Sequence, residues 1–329
     1  MEHNTCDAKS TKKITVTETS RTATYLAVSD AESGQRLDNF LLRKLSGVPK
    51  TRIYRAIRKG EVRVNKGRAK PERKLAAGEI IRIPPIGSVE PPAKATAPAR
   101  WHQRIAQSVV YEDKGMLIVN KPTGLAVHGG SGIDFGLIET LRQQMPEQPY
   151  LELVHRLDRD TSGLVMVAKR ASVLRELHDL LRNNSIDKRY LALVAGKWPS
   201  HLVRVQAKLG KSALSSGERM VRVDASGKAS VTDFKVVERL VGATLIEAKP
   251  VTGRTHQIRV HAQHAGHPIL GDVKYSDDIQ LATARQAGLR RLFLHAYALR
   301  FDLGGKTIQV RADLDEELSA VCRELSLDN

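Results

Sequence analysis

Residues 150–170 read YLELVHRLDRDTSGLVMVAKR, a stretch in which two apolar runs enclose a short, strongly charged segment. The runs YLELV and GLVMVAK are rich in branched residues and have the length of ordinary strands, so the stretch predicts a strand, a loop and a second strand. The loop between them, HRLDRDTSG, holds two acids, Asp158 and Asp160, among basic residues. So much charge beside buried strands makes this loop a candidate for chemistry.

Further short runs of the same kind follow on both sides of the loop. They include VVYED, MLIVNKP, RYLALVAG, TDFKVVERL, GATLIEAKP and KTIQVRA. Helical periodicity interrupts them at FGLIETLRQQ and SVLRELHDLLRN, and strands and helices do not alternate as they do in βαβ units. The sequence therefore predicts an α+β fold, in which residues 101–329 form a domain built on a large, mostly antiparallel mixed sheet.

The overall charge favours a polyanionic partner. The 329 residues carry 53 Lys and Arg against 36 Asp and Glu, a formal net charge of +17. Nucleic acid and an anionic membrane surface both suit such a charge. No apolar run is long enough to cross a bilayer and the N-terminus has no apolar segment like that of a secretory signal, so we expect a cytoplasmic protein without a membrane partner. Cys6 and Cys322 form no disulfide or zinc motif.

Most of the excess charge lies in a small N-terminal segment. Residues 34–85 hold 15 basic and 4 acidic residues, and VPKTRIYRAIRKG has the proline and glycine boundaries of a short helix. An earlier apolar repeat at helical spacing and the runs EVRVN and EIIRIPP predict a helix pair with a small sheet. Basic residues, without acids, fill the exposed positions of the second helix. The alternative is a solvated basic face, but such faces usually mix both signs of charge, so we expect this helix to contact nucleic acid. The candidate residues are Lys50, Arg52, Arg55, Arg58 and Lys59.

The segment GQRLDNFLLRKLSGVPKTRIYRAIRKGEVRVNKGRAKPERKLAAGEIIRIPP resembles an S4 domain, a small module that binds structured RNA. The sequence thus predicts four regions. Residues 1–33 are a polar tail, disordered at least to residue 24; residues 34–85 are the S4 domain; residues 86–100, rich in Pro and Ala, are a linker; and residues 101–329 are the second domain.

Familiar cofactor and metal motifs are missing from the second domain. The glycines of VHGGSGIDFG miss the GxGxxG spacing and are expected to form a substrate-facing turn, and no GxxxxGK[ST] sequence exists. The HQIRVHAQHAGH segment clusters four histidines without a cysteine or carboxylate that would complete a familiar metal site. The four are His256, His261, His264 and His267. We expect no metal and no cofactor, and we expect His264 and His267 to cap the local structure or contact RNA.

Of the two loop acids, Asp158 is the better candidate for chemistry. Asp160 suits a structural role in a turn formed with the hydroxyl groups that follow it. Asp158 follows an apolar residue, and a partly buried carboxylate needs a compensating cation, for which Arg156, Arg254 and Arg259 are available. Such a carboxylate could be a nucleophile or half of a buried structural ion pair, and physical reasoning alone leaves both open.

A second resemblance favours the nucleophile. HRLDRDTSG, together with DKRYLALVAG, PVTGRTHQIRVHAQHAGHPILGDVKY and LFLHAYALRF in the same order, resembles the RluA-type family of pseudouridine synthases from about residue 109 onward. The resemblance implies isomerisation of uridines in 23S rRNA, free or within a large-subunit precursor, with an aspartate nucleophile, base flipping and no cofactor. We also expect the protein to be a monomer.

The family's residue roles fall on matching positions. Asp158 matches the catalytic aspartate, Tyr190 the tyrosine that stacks on the base and accepts the C5 proton, and Arg259 the arginine that orients the aspartate. Arg156 matches the arginine that enters the RNA stack when the target base leaves it, and Leu294 an apolar residue that packs against the uracil. Three alternatives are a synthase for other rRNA or tRNA uridines, a ribosome-binding factor without catalysis, and a glycoside hydrolase, which generally needs a second carboxylate.

Overall fold

The computed structural model describes residues 22–45, 47–86, 96–129, 135–213 and 219–326. The tail to residue 21, most of the predicted linker and the glycine-rich turn at residues 130–134 lie outside the described residues. The chain divides into two compact units between residues 94 and 95. Within the described ranges, no helix is both long enough and apolar enough to span a membrane.

The smaller unit is a helix pair with a three-stranded antiparallel sheet, as the sequence predicts. Its elements are β1 (Thr24–Ala27), a 3-10 turn (Asp30–Glu32), α1 (Leu37–Lys44), α2 (Lys50–Arg58), β2 (Arg63–Val64) and β3 (Ile80–Ile83). The strand order is β1-β3-β2. Phe40 and Ile53 of the helices share one apolar core with Val64 and Ile81 of the sheet.

The first strand begins earlier than the sequence suggests. β1 lies inside residues 1–33, the range assigned to a polar tail, and all four of its residues pair with β3. Its sequence TYLA alternates partly buried and exposed positions, and an alternation of only four residues is too short to distinguish a strand from a polar segment. Residues 24–27 thus belong to the small sheet rather than to a tail.

The larger unit contains the predicted α+β domain. Its strands are β4 (Val109–Glu112), β5 (Met116–Lys121), β6 (Glu152–Leu153), β7 (Ser162–Ala168), β8 (Asp187–Ala195), β9 (Arg204–Ala213), β10 (Arg219–Val223), β11 (Lys228–Leu240), β12 (Ala243–Pro250), β13 (Leu294–Leu303) and β14 (Lys306–Arg311). Its helices are α3 (Ala99–Ala106), α4 (Leu137–Gln144), α5 (Ala171–Arg182), α6 (Gln257–His264), α7 (Asp278–Gln286) and α8 (Glu316–Glu324). Helix α3 begins within the last residues of the predicted linker.

These strands form one sheet of eleven strands, with the central order β10-β9-β11-β12-β8-β13-β7-β5-β4. β14 pairs with β13, and β6 with β7. Every described pairing is antiparallel except that of β7 with β13, so the mixed, mostly antiparallel sheet predicted from the sequence is confirmed. β7 is buried at every residue and follows directly on the charged loop.

A glycine allows the parallel pair to form beside that loop. Gly163 has a φ of +112°, and a Cβ atom built on it would lie 2.3 Å from the carbonyl oxygen of Ala296. Only glycine tolerates such an approach and such a φ. The neighbouring Ser162 hydroxyl hydrogen-bonds to Nδ1 of buried His295 at 2.9 Å, and the other ring nitrogen of His295 lies 3.0 Å from the Ala312 carbonyl oxygen. The start of β7 is thus fixed to β13.

Candidate active site

A buried lysine fixes the backbone of the charged loop. Lys121, at the end of β5, is inaccessible to solvent, and its Nζ donates hydrogen bonds to the carbonyl oxygens of Pro122, Leu125 and Arg159 at 3.0, 2.9 and 3.0 Å. Burial lowers the pKa of Lys121 to about 7. The three carbonyl oxygens favour the charged ammonium form, because they accept one hydrogen bond from each of its three hydrogens. The Thr123 hydroxyl also donates a hydrogen bond to the Asp160 carbonyl oxygen of this loop, at 2.8 Å.

Asp158 lies in the loop whose backbone Lys121 holds, and its side chain is 22% exposed. Its Oδ2 atom lies 3.3 Å from Nη1 of Arg259 and 3.7 Å from Nε2 of His256. Arg259 belongs to α6, which is 101 residues further along the chain. The carboxylate is therefore partly buried, accessible from one side and opposed by a guanidinium group.

Arg259 is itself held by a second carboxylate. Its Nε and Nη2 atoms each donate to Asp272 at 2.7 Å, and the Asp272 side chain is fully buried. The guanidinium carbon also lies 5.0 Å from the ring centre of Tyr275. Burial alone would lower the pKa of Arg259, but the hydrogen bonds and charge of Asp272 outweigh it and hold that pKa above its usual range. Arg259 is thus a permanent cation.

His256 contacts the same carboxylate from the loop before α6. Its backbone has a left-handed φ of 54°, and its Nδ1 lies 2.7 Å from the hydroxyl oxygen of Tyr275, which accepts the Val221 N–H at 3.2 Å. Burial lowers the pKa of His256, so the ring is neutral at pH 7. A tautomer with hydrogen on Nε2 directs that hydrogen towards Asp158 and leaves Nδ1 to accept the Tyr275 O–H.

The left-handed loop is shaped by one buried amide. Gln257 Oε1 accepts the Arg254 N–H at 3.0 Å and the Thr252 hydroxyl at 2.7 Å, while Nε2 donates to the Val231 carbonyl oxygen at 2.9 Å. These bonds replace the regular pairing that ends with β12. They explain how the TGRTHQ sequence turns sharply from a strand into α6.

The carboxylate opens into a cavity of about 350 Å³. Tyr190 of β8 and Leu294 of β13 line it from two neighbouring strands. Burial, followed by the charge of Asp158, raises the pKa of Tyr190, so the phenol is protonated at neutral pH. The cavity thus combines one carboxylate with an aromatic and an aliphatic surface.

Basic residues surround this cavity. Arg156 and Arg254 are exposed at its rim, and Lys188 is partly buried in its wall, where burial lowers its pKa. Asp158 is the one acid among the lining residues of the described chain. Asp160 does not line the cavity and pairs with Arg159 at 2.9 Å. The glycoside hydrolase alternative, which generally needs two acids, therefore has no support in this cavity.

All five residues that the sequence assigns to catalysis and substrate binding in the second domain line this one cavity. They are Asp158, Tyr190, Arg259, Arg156 and Leu294. The five basic candidates of the smaller unit lie on α2 and at its C-terminal end, and all except Arg52 are exposed. Arg52 pairs with Glu61 at 3.0 Å, an acid outside the helix that its sequence alone does not reveal.

Sequence reasoning missed three supporting residues, namely Lys121, Asp272 and Tyr275. Lys121 has a signal, since a lysine follows the apolar run in MLIVNKP. Asp272 and Tyr275 lie in GDVKY, at the end of the block that begins PVTGRTHQIRVH, but nothing in that sequence shows that they hold Arg259. Two of the clustered histidines also have internal partners. His261 Nε2 lies 2.8 Å from the Ser230 hydroxyl, and His267 Nδ1 lies 2.8 Å from the Ala195 carbonyl oxygen.

Two family models match this chain. The model for RNA pseudouridylate synthase matches residues 115–264, and the model for the S4 domain matches residues 35–81. The first range includes Asp158, Tyr190 and Arg259, but ends before Asp272.

Curated proteins resemble the chain over nearly its whole length. It is 53% identical to ribosomal large subunit pseudouridine synthase C of Haemophilus influenzae, over 91% of this chain and 94% of the relative. It is 54% identical to the protein of that name from Escherichia coli K12, over 91% of this chain and 96% of the relative.

Solved structures share the fold of the larger part of the chain. Human RNA pseudouridylate synthase domain containing 4 superimposes with a TM-score of 0.55 at 24% identity, covering 69% of this chain and 95% of its own. Human RNA pseudouridylate synthase domain containing 1 gives a TM-score of 0.54 at 28% identity, covering 65% and 86%.

Proposed function

Since the chain belongs to the RNA pseudouridylate synthase family, we propose that it isomerises specific uridines in 23S rRNA, with Asp158 as the nucleophile. The observation that carries the proposal is the Asp158 carboxylate, oriented by buried Arg259 at 3.3 Å in a cavity that also presents Tyr190 and Leu294. A nucleoside base has the size and the apolar faces that such a cavity accommodates.

The reaction needs no net addition of atoms. The bond from uracil N1 to the ribose C1′ breaks, the uracil turns, and a bond from C5 to C1′ forms while C5 loses a proton and N1 gains one. Asp158 begins the sequence either by attacking C1′ or by removing the 2′ proton. In both cases an ionised carboxylate is required, and Arg259 fixes its direction without covering its open side.

Tyr190 stacks on the uracil while it turns. Its raised pKa makes the phenol a poor base at neutral pH, so acceptance of the C5 proton needs a change in its surroundings. The negative charge of Asp158 is one cause of that raised pKa. Once Asp158 is esterified to the sugar or has taken up the 2′ proton, it is neutral, so this cause disappears and burial remains to oppose ionisation of Tyr190.

The target uridine must leave the RNA stack before it can reach Asp158. Arg156 is exposed at the cavity rim and has a planar guanidinium group, which can stack in the vacated position or bind phosphate. Arg254 and Lys188 add positive charge around the entrance. Contacts of this kind supply the free energy that base flipping costs.

The choice of substrate rests on the named relatives. Both curated relatives described above are named for the large ribosomal subunit, and the charge of +17 suits an RNA substrate. We infer that the enzyme acts as a monomer, in the cytoplasm, on free rRNA or on a precursor of the large subunit.

The test is a pseudouridine map of 23S rRNA from cells that lack the gene and receive either the wild-type gene, Asp158→Asn or Asp160→Asn. Asp160→Asn is the matched control because Asp160 lies two residues away and outside the cavity. We expect wild type and Asp160→Asn to restore the missing sites, and Asp158→Asn to restore none.

Restoration of every missing site by Asp158→Asn would show that Asp158 is not the nucleophile. An unchanged map after deletion of the gene would refute 23S rRNA as the substrate, and would favour other rRNA or tRNA uridines or a binding role on the ribosome.

A further inference from the structure

The outer face of the small sheet carries an aromatic and cationic row. Along β1 and β3 the side chains alternate, so that Leu26 and Ile81 pack inward on the helix pair. The opposite face presents Tyr25, Arg82 and Arg63, which lie side by side because Tyr25 is opposite Arg82 and Arg82 is opposite Arg63 in the strand register. One residue from each of the three strands therefore forms a line across the sheet.

Tyr25 is unusually open for an aromatic residue in a strand. Its side chain is 63% exposed, and Ile80, which is on the same face of β3, is 43% exposed. Helix α2 packs on the inner face of the sheet through Ile53 and Ile57, so it does not cover the outer face. A large aromatic ring and an isoleucine on an open sheet face form an apolar surface suited to a planar ligand.

Two of the cations beside the ring are held in place. Arg82 Nη1 donates to the Glu61 carbonyl oxygen at 2.7 Å, which orients the guanidinium across the sheet. Lys66 occupies a tight turn with a left-handed φ of 68°, and the preceding Asn65 accepts the Ile80 N–H at 2.8 Å. The turn therefore fixes the position of Lys66 at the edge of the sheet.

The ring and the cations border one hollow, which we call the sheet hollow. Its lining consists of Tyr25, Gly60, Arg63, Asn65, Lys66, Ile80 and Arg82. Three of these seven residues are cations and none is an acid. Glu61, the acid next in sequence to Gly60, forms an ion pair with Arg52 instead. The sheet hollow therefore combines positive charge with an exposed ring.

We propose that the sheet hollow binds an unpaired nucleotide of the RNA substrate, with Tyr25 stacked on the base and Arg63, Arg82 and Lys66 facing the phosphates. Exposed aromatic rings between cations are the usual means of gripping single strands, whereas a duplex hides its base faces. This surface lies on the sheet, apart from the cations of α2, and both Tyr25 and Arg82 fall outside residues 35–81 that match the S4 model. The proposal rests on the proposed function only for its choice of RNA as the partner.

Binding of the full-length protein to a fluorescent 12-nucleotide oligouridine, followed by anisotropy, separates the stacking from the charge. Tyr25→Ala should weaken binding about 5- to 150-fold, the effect of losing one stacked base, and leave the salt dependence unchanged. Arg63→Ala should instead lower the slope of log Kd against log salt by about 0.7, the value for one phosphate contact on a single strand. Tyr25→Phe should bind as wild type, because it keeps the ring.

Lys70→Ala is the matched charge control, since Lys70 is exposed and lies outside the sheet hollow. It should change the affinity for the oligouridine, and the slope of log Kd against log salt, less than Arg63→Ala does. A duplex of equal length should be insensitive to Tyr25→Ala. Equal affinities of wild type and Tyr25→Ala for the oligouridine would overturn the proposal and would favour a protein partner for this face.

Photocrosslinking of wild-type protein to an oligouridine that contains 5-bromouridine avoids dependence on any variant. The crosslink should map to Tyr25, and crosslinks found only elsewhere would contradict the proposal. Isomerisation of 23S rRNA is measured in parallel. A crosslink at Tyr25 without isomerisation would refute the proposed function alone, and isomerisation without any effect at Tyr25 would refute the sheet hollow alone.

Discussion

The buried partner of Arg259 offers the sharpest test of how the site is built. Asp272→Asn keeps the shape of the side chain and removes one charge. The amide oxygen can still accept the Lys274 N–H, which donates to Asp272 Oδ1 at 3.0 Å, and the hydrogen bond from Arg259 Nη2. The amide NH2 then faces Arg259 Nε, donor against donor, where the wild type has a hydrogen bond of 2.7 Å.

The cost follows from burial. The side chains of Arg259 and Asp272 are 5% and 0% exposed, so water cannot replace the lost partner. Removal of one member of a buried pair costs about 3 to 5 kcal/mol of unfolding free energy. Since Asp158 still faces Arg259, we expect the lower part of that range.

An exposed pair of the same geometry provides the control. Arg204 donates two hydrogen bonds to Asp233 at 2.5 and 3.0 Å, but the two side chains are 53% and 32% exposed. Asp233→Asn should therefore have a much smaller effect on urea unfolding, followed by circular dichroism. If Asp272→Asn and Asp233→Asn shift the unfolding free energy equally, the buried pair does not stabilise the site as described.

Three further changes test other parts of the larger unit. Lys121→Met should lower the unfolding free energy by about 2 to 4 kcal/mol, because three carbonyl oxygens lose their donor, and should abolish isomerisation; unchanged urea unfolding would contradict the role given to Lys121. His155 accepts the Met166 N–H at 3.1 Å, and burial lowers its pKa from 6.5 to about 3. Between those values the unfolded chain binds a proton that the folded chain does not, so stability should fall by up to about 1.4 kcal/mol per pH unit as the pH drops from 6.5. His155→Gln should flatten this dependence in urea titrations at pH 7, 5.5 and 4.5, and an equal slope in both proteins would exclude His155 as its source. Tyr190→Phe should retain tight RNA binding, since the stacking ring remains. Its isomerisation rate should fall by about 100-fold or more, because the phenol is the proposed acceptor of the C5 proton. Full activity of this variant in single-turnover assays would rule out that role.

The sequence predicts the residues that line the cavity better than the residues that hold them in place. Asp158 and Arg259 lie in distinctive patterns, HRLDRDTSG and GRTHQIRVH, and the structure brings them within 3.3 Å although 101 residues separate them. Asp272 lies further along the same block as Arg259, but an aspartate after a glycine reads as an ordinary turn residue. Its role is visible only once the fold has buried it against Arg259.

The predicted type of sheet is confirmed, but the sequence gives no prediction of which strands are neighbours. Alternating and buried runs indicate strands, yet they do not say which strand pairs with which. The parallel contact of β7 with β13 depends on Gly163, whose missing Cβ allows the Ala296 carbonyl oxygen to approach. A glycine after a serine is too common in turns for the sequence alone to reveal that contact.

The distribution of charge around Arg259 supports the proposed role of Asp158 as the nucleophile. One guanidinium faces two carboxylates, and neutral His256 adds no charge. Asp272 takes the two short hydrogen bonds of 2.7 Å, while Asp158 has one of 3.3 Å, so the weaker pairing falls on the residue that must leave it to react. In Asp272→Asn, Arg259 should turn towards Asp158 as its remaining counter-ion and stabilise the carboxylate before reaction more than in the transition state. That change should lower kcat at least about tenfold, equivalent to about 1.4 kcal/mol, with little change in KM. A variant that raises KM and leaves kcat intact would show that Asp272 shapes only the binding surface.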